Sequence, residues 1–212
     1  MKFNKADMIA IEKRDSNYLT QKGAKYYIAE DYAKAIEYYR LASSMGNVDA
    51  TSNLGYCYMY GRSIDRNINM AIAYFMAAAN KGSVDAMYKL GNIYKHGYDE
   101  VEADNELAAY YYQKAVDEVF DECLDPCRYP SLFFSMAKEF MPGGEMCLDY
   151  KIAYDFLNHA KVGYEMEKQD GVKFHINALN AVDELLEDPH FDIFKDEEDD
   201  YDIDDFFFDN QG

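Results

Sequence analysis

Between residues 30 and 120, small and aromatic residues return at intervals of three and four, the spacing of one face of an α-helix. In AKAIEYYRLA the recurring positions are Ala35, Tyr38, Tyr39 and Ala42. The same spacing predicts helices over MAIAYFMAAA, Met70 to Ala79, and LAAYYYQKA, Leu107 to Ala115. Each belongs to a unit that reads helix, loop, helix, with Gly46 and Gly82 as the C′ residues that end the second helix. Asp15-Ser16 can N-cap the helix that opens the first unit, and Glu30-Asp31 marks the turn to its second helix. Upstream, Met8, Ile9 and Ile11 predict a short helix within Phe3 to Arg14, laid over the first unit as a cap.

The units are copies of one another. Residues 46–61, GNVDATSNLGYCYMYG, return as residues 82–97, GSVDAMYKLGNIYKHG, displaced by 36 positions. A fixed period in that range marks stacked supersecondary units, each of which buries its apolar face only against its neighbours.

The positions held in step are Ala50, Leu54, Gly55, Tyr58, Gly61, Ile64, Ala71, Tyr74, Ala78 and Gly82, then Ala86, Leu90, Gly91, Tyr94, Gly97, Val101, Asp104, Ala108, Tyr111, Tyr112 and Ala115. This pattern resembles the Sel1-like repeat, a relative of the tetratricopeptide repeat. The resemblance implies an all-α fold: a right-handed α-solenoid of about four helix-loop-helix repeats with terminal capping helices. It also implies a non-enzymatic scaffold or adaptor that binds a protein or peptide in its concave groove. From the mid-helix Gly to the Ala of the next helix, Gly23 to Ala35 is 12 residues, Gly55 to Ala71 is 16 and Gly91 to Ala108 is 17, so the first unit is closer to a plain tetratricopeptide repeat. Ser63 stands where the family usually has Gly.

A fourth, divergent unit aligns Ala137 with the Gly position, Phe140 with the Tyr, Asp149 with the loop Asp and Ala153 with the helix Ala. About nine residues are inserted before it, around Glu122 to Ser131, where Pro126 and Pro130 must interrupt the helices. The insert is either a lengthened turn or a local elaboration. Further helices are expected over Asp149 to Glu167 and Gly171 to Glu187, the last serving as the terminal cap. Pro189 closes the ordered body, giving a solenoid over residues 1–189 and an acidic, aromatic-containing tail over 190–212 that reads as disordered.

Composition then narrows the function. Of the formal charge of −19, residues 183–212 carry −13 through 14 acids and one Lys, leaving −6 for residues 1–182. Without a cluster of Lys and Arg, nucleic acid and anionic membranes are not expected partners. There are 21 Tyr and no Trp, so much of the buried surface must be rings with a hydroxyl to satisfy. The opening MKFNKADMIA has no apolar run of signal-peptide length, and the spacing of Cys57, Cys123, Cys127 and Cys147 is no disulfide framework; a cytoplasmic location with reduced thiols is expected.

No catalytic chemistry, cofactor or metal site emerges. GxSxG, P-loop and GxGxxG patterns are absent, and the four histidines are widely spaced. Cys123 and Cys127 lack the two-residue spacing of a zinc knuckle. Asp200, Asp202 and Asp204 have the spacing of the first EF-hand ligands, but Asp205 replaces the loop Gly and Gln211 the closing Glu.

What remains is the groove. In tetratricopeptide-like stacks, the first helix of each unit presents the positions three before, one after and five after the Gly. That register nominates Ser52, Tyr56, Tyr60, Tyr88, Asn92 and His96, with Lys95 beside the row and Lys138 in the divergent unit, as the partner-binding surface. An aromatic, weakly cationic row suits an extended or helical peptide with apolar side chains. Tyr201 and Phe206, Phe207 and Phe208 form a candidate interaction motif in the tail. The alternative is an acidic decoy or inhibitor whose tail engages a basic surface of another protein.

Overall fold

The structure, a computed structural model, describes residues 3–144, 147–172 and 175–195. The described residues form ten α-helices and two short 3-10 turns, and the chain divides into two compact units at Tyr111/Tyr112.

In the first unit, α1 (Lys5–Glu12) is followed by α2 (Ser16–Ile28), α3 (Tyr32–Ser44), α4 (Val48–Tyr60), α5 (Ile68–Ala79) and α6 (Val84–His96), with the start of α7 (Asn105–Asp121). Each of these helices packs on the next from α1 through α6, which is the stacking of a solenoid. Short polar side chains set the starts: Asp15, Asp31, Asn47, Asn67 and Ser83 each accept a hydrogen bond from a backbone N–H of the first turn. Asp104 accepts from the Leu107 N–H at 2.9 Å in the same way.

The repeat is visible as one recurring hydrogen bond and one recurring ring pair. The N–H of the residue that starts each second helix donates to the carbonyl of the aromatic three positions after the mid-helix small residue. The bonds are Asp31 to Tyr26 (2.9 Å), Asn67 to Tyr58 (3.0 Å), Asp104 to Tyr94 (2.7 Å) and, in the second unit, Asp149 to Phe140 (3.0 Å). Above each bond an aromatic pair spans the two helices: Tyr26 with Tyr38, Tyr58 with Tyr74, and Tyr94 with Tyr111, stacked with centroids 5.5, 5.4 and 5.8 Å apart. Phe140 with Phe156 is the fourth, turned edge-on at 5.9 Å. Four units therefore share one register, although the loops differ in length.

The mid-helix glycine is required where α5 crosses α4. A Cβ on Gly55 would stand 2.7 Å from Cε1 of Phe75, a fully buried ring. At Ser63, where the family usually has Gly, the backbone is left-handed, with φ 53° on a residue carrying a Cβ.

The second unit contains the rest of α7, α8 (Pro130–Glu139), α9 (Tyr150–Gln169) and α10 (Ile176–Leu186). The insert is a local elaboration: after a turn at Cys123, with φ 50°, the 3-10 turn Pro126–Arg128 lies against α9. Gly163 makes room for it, because a Cβ there would meet the Cys127 carbonyl oxygen at 2.2 Å. Leu179 and Val182 seat α10.

Of the segment from residue 190 onward, residues 190–195 are described, and they pack. The 3-10 turn Pro189–Phe194 inserts Phe191, with no exposed surface, against Tyr150 and Tyr154 of α9. The packed body thus runs past Pro189, because two aromatic side chains of α9 leave a seat that Phe191 fills. Tyr201, Phe206, Phe207, Phe208 and the Asp200–Asp204 spacing lie outside the described residues.

Candidate functional site

The nominated row lies on helices fixed by the repeat, so backbone register decides what each position presents. At the fifth position after the glycine the row is open: Ile28 is 81% exposed, Tyr60 is 46% exposed, and His96 is exposed. One position after the glycine, Ala24, Tyr56 and Asn92 are half-buried. At the third position before it, Thr20 and Ser52 are buried and Tyr88 is half-buried.

Ser52, 4% exposed, is a correction to the nominated surface. Its Oγ donates to Asp85 Oδ2 at 3.1 Å, so the hydroxyl ties α4 to α6. The Tyr56 hydroxyl reaches the same carboxylate, 3.0 Å from Oδ1 and 3.1 Å from Oδ2. Burial, and then the negative charge of Asp85, pushes the Tyr56 phenol well above its ordinary value. Its ring stands edge-on to Phe75 at 5.1 Å and lies nearly parallel to that of Tyr60 at 6.2 Å. Tyr60 thus stacks on a half-buried neighbour while nearly half of its own surface stays exposed. Beyond it, the Arg62 guanidinium sits 4.8 Å from the Tyr32 ring and 5.9 Å from that of Tyr60.

Lys89, absent from the nominated set, occupies the middle of this face. Its ammonium lies 5.2 Å from the Tyr56 centroid and 5.9 Å from that of Tyr88. Burial pulls the ammonium below the ordinary lysine value, against the charge of Asp85. The sequence signal was available: Asp85, Lys89, Asn92 and His96 form one i, i+4, i+7, i+11 stripe, and Lys89 is one position beyond Tyr88. Lys95 is half-buried on the same helix. Lys138 lies in the second unit, exposed, with its ammonium 4.4 Å from the Phe134 centroid.

The four cysteines are free thiols; burial pushes Cys57 up to about 11 and also raises Cys127. Burial lowers His159. Among the described residues, no group of three or more His, Cys, Asp or Glu is placed to hold a metal ion, and no helix is long and apolar enough to cross a membrane.

Stacked helix pairs with one register of caps, ring pairs and small residues define an all-α solenoid repeat protein. More narrowly, residues 16–47, 48–83 and 84–118 each match the family model of the Sel1 repeat, so the chain carries three Sel1 repeats. Among solved structures, the chain is similar to a Sel1 repeat protein from Oxalobacter formigenes, with 20% identity and a TM-score of 0.57, covering 74% of this chain and 62% of that one. It thus spans less than two thirds of that protein's length. It is also similar to c5321, a protective antigen of uropathogenic Escherichia coli strains displaying an SLR fold, with 19% identity, a TM-score of 0.47, and coverage of 76% of this chain and 43% of that one. No curated protein matches the sequence.

Proposed function

We propose that the chain is a non-enzymatic protein-interaction scaffold that receives a partner protein or peptide on the α4–α6 face. Sel1 repeat proteins generally act as protein-interaction scaffolds, which supports the class. The observation that carries the site is the Tyr56–Tyr60 stack, with Tyr60 46% exposed on a helix whose register the repeat fixes. A rigid aromatic ring loses little conformational entropy on binding and offers a large apolar area with a polar edge, the features that make Tyr common at interface centres.

Photocrosslinking tests the placement. The full chain would carry benzoylphenylalanine at position 60, or at the exposed position 77 on the outer side of α5, and would be irradiated in lysate of the source organism. A discrete protein adduct is expected from position 60 and not from position 77. Equal adducts from both positions, or none from position 60, would overturn the assignment of this face.

A further inference from the structure

Asp85 and Lys89 are four apart on α6, the separation at which an acid and a base on a helix ordinarily pair. Here they do not. The Asp85 carboxylate is turned across to α4, where the Tyr56 and Ser52 hydroxyls donate to both of its oxygens. Lys89 is left between the Tyr56 and Tyr88 rings, and among the described residues no acceptor lies within hydrogen-bonding distance of its ammonium. Ring faces attract a cation but accept none of its three N–H donors in the way an oxygen does. The face therefore offers an oriented cation with open donors beside the Tyr56 ring, on which the exposed Tyr60 ring stacks.

We propose that this face receives a segment of a partner protein that carries one side-chain carboxylate, seated on Lys89, and a neighbouring apolar or aromatic side chain, seated on Tyr60. The inference rests on the reading of the α4–α6 face as the partner surface and adds the chemistry of what it takes. Charge selects the partner further. Residues 1–182 are themselves at −6, so a long polyanion is repelled while a single carboxylate flanked by apolar residues is accommodated. A carboxylate fits better than an amide because charge-assisted hydrogen bonds in a partly desolvated niche are the stronger kind. The lowered proton affinity of Lys89 agrees, since an incoming carboxylate restores the stabilisation that burial removes.

The test uses the full chain and two fluorescent nonapeptide libraries, each with a fixed phenylalanine three residues from a fixed centre, the centre being glutamate in one and glutamine in the other. Binding is read by anisotropy. The unmodified chain should prefer the glutamate library by about tenfold, the size of one charge-assisted hydrogen bond. That preference should shrink as salt is raised, a measurement that needs no variant. Lys89→Met should abolish the preference, Lys89→Arg should retain it, and Tyr60→Ala should weaken both libraries alike. A preference that survives Lys89→Met, or no preference in the unmodified chain, overturns the carboxylate assignment and leaves the face a peptide surface. Failure of both libraries to bind overturns the carboxylate assignment, while the reading of the face as the partner surface stands or falls by the crosslinking from position 60.

Discussion

Asp7→Ala tests how the first helix is held to the repeats. The Asp7 carboxylate is buried, with its side chain 2% exposed, and accepts from four donors: the Asn4 N–H at 2.8 Å, the Tyr38 hydroxyl at 2.8 Å, the Tyr18 hydroxyl at 3.1 Å and the Lys22 ammonium. Lys22 belongs to α2 and Tyr38 to α3, so one carboxylate joins three helices. Removing it strands a largely buried ammonium and two phenols, and breaking a buried pair by deleting one partner costs about 3–5 kcal/mol. The Lys22 side chain keeps 18% of its surface in water, which places the expected loss near the lower end, about 3 kcal/mol. In Asp7→Ala/Lys22→Met the stranded charge is gone, and the double variant should be more stable than Asp7→Ala alone. Urea unfolding followed by far-ultraviolet circular dichroism suits a chain with no Trp.

Acid provides a second reading of the same variant. Burial alone raises Asp7, but the hydrogen bonds from Lys22, Asn4, Tyr38 and Tyr18 outweigh it and hold the carboxyl below its ordinary 3.8. A folded value below the unfolded one gives stability that is present above 3.8 and lost as pH falls through the folded value. On the other side, burial lowers Lys22, but its hydrogen bond to Asp7 prevails and raises it above 10.5. That contribution is present below 10.5 and lost as pH rises through the folded value, so the pair is intact between the two limits. The penalty of Asp7→Ala should therefore be level from neutrality to about pH 5 and fade in stronger acid. A neutral-pH penalty below about 1 kcal/mol, or one undiminished in strong acid, would refute the account of the buried pair.

Two further substitutions test the repeat itself. Gly55→Ala gains about 1 kcal/mol of helix propensity but drives a methyl into the fully buried Phe75 ring at 2.7 Å, so urea unfolding should show a net loss of up to about 2 kcal/mol; a gain would mean that α5 can back away. At Ser63, exposed and at φ 53°, glycine should be tolerated or stabilising while valine destabilises, with the two variants separated by more than about 1 kcal/mol in unfolding free energy. Equal stability of the two would refute a left-handed backbone at that turn.

Most of the architecture was legible because the residues that build it also recur. Tyr58 meets Tyr74 and Gly55 meets Phe75 across adjacent helices, so the spacing of these residues along the chain maps directly onto contacts. The divergent unit could be aligned from Ala137, Phe140, Asp149 and Ala153 because each fills the same role as its counterpart, down to the bond from the Asp149 N–H to the Phe140 carbonyl. The seat of Phe191 was not legible: it depends on Tyr150 and Tyr154 meeting a residue some forty positions away, a pairing with no period to announce it. The burial of Ser52 escaped for a related reason. Helical register gives the direction of a side chain, whereas its covering by Asp85 depends on a neighbouring repeat.

The same carboxylate explains how a regular frame acquires a singular site. Val-Asp-Ala occurs in both copies, and on that ground Asp49 and Asp85 count equally as architecture. Their surroundings differ at three places. Where Ser52 and Tyr56 on α4 face Asp85, the corresponding positions on α2, ahead of Asp49, are Thr20, whose hydroxyl donates back to the Ser16 carbonyl at 2.8 Å, and Ala24, which has no hydroxyl. Nothing on α2 draws Asp49 across as Tyr56 draws Asp85. The third difference is Lys89, whose counterpart on α4 is Asn53, uncharged. An acid turned away by its neighbour and a base left behind therefore coincide only on the α4–α6 face among the paired copies. The shared residue supplies the device, and the residues that differ between the copies determine where it leaves a cation open to a partner.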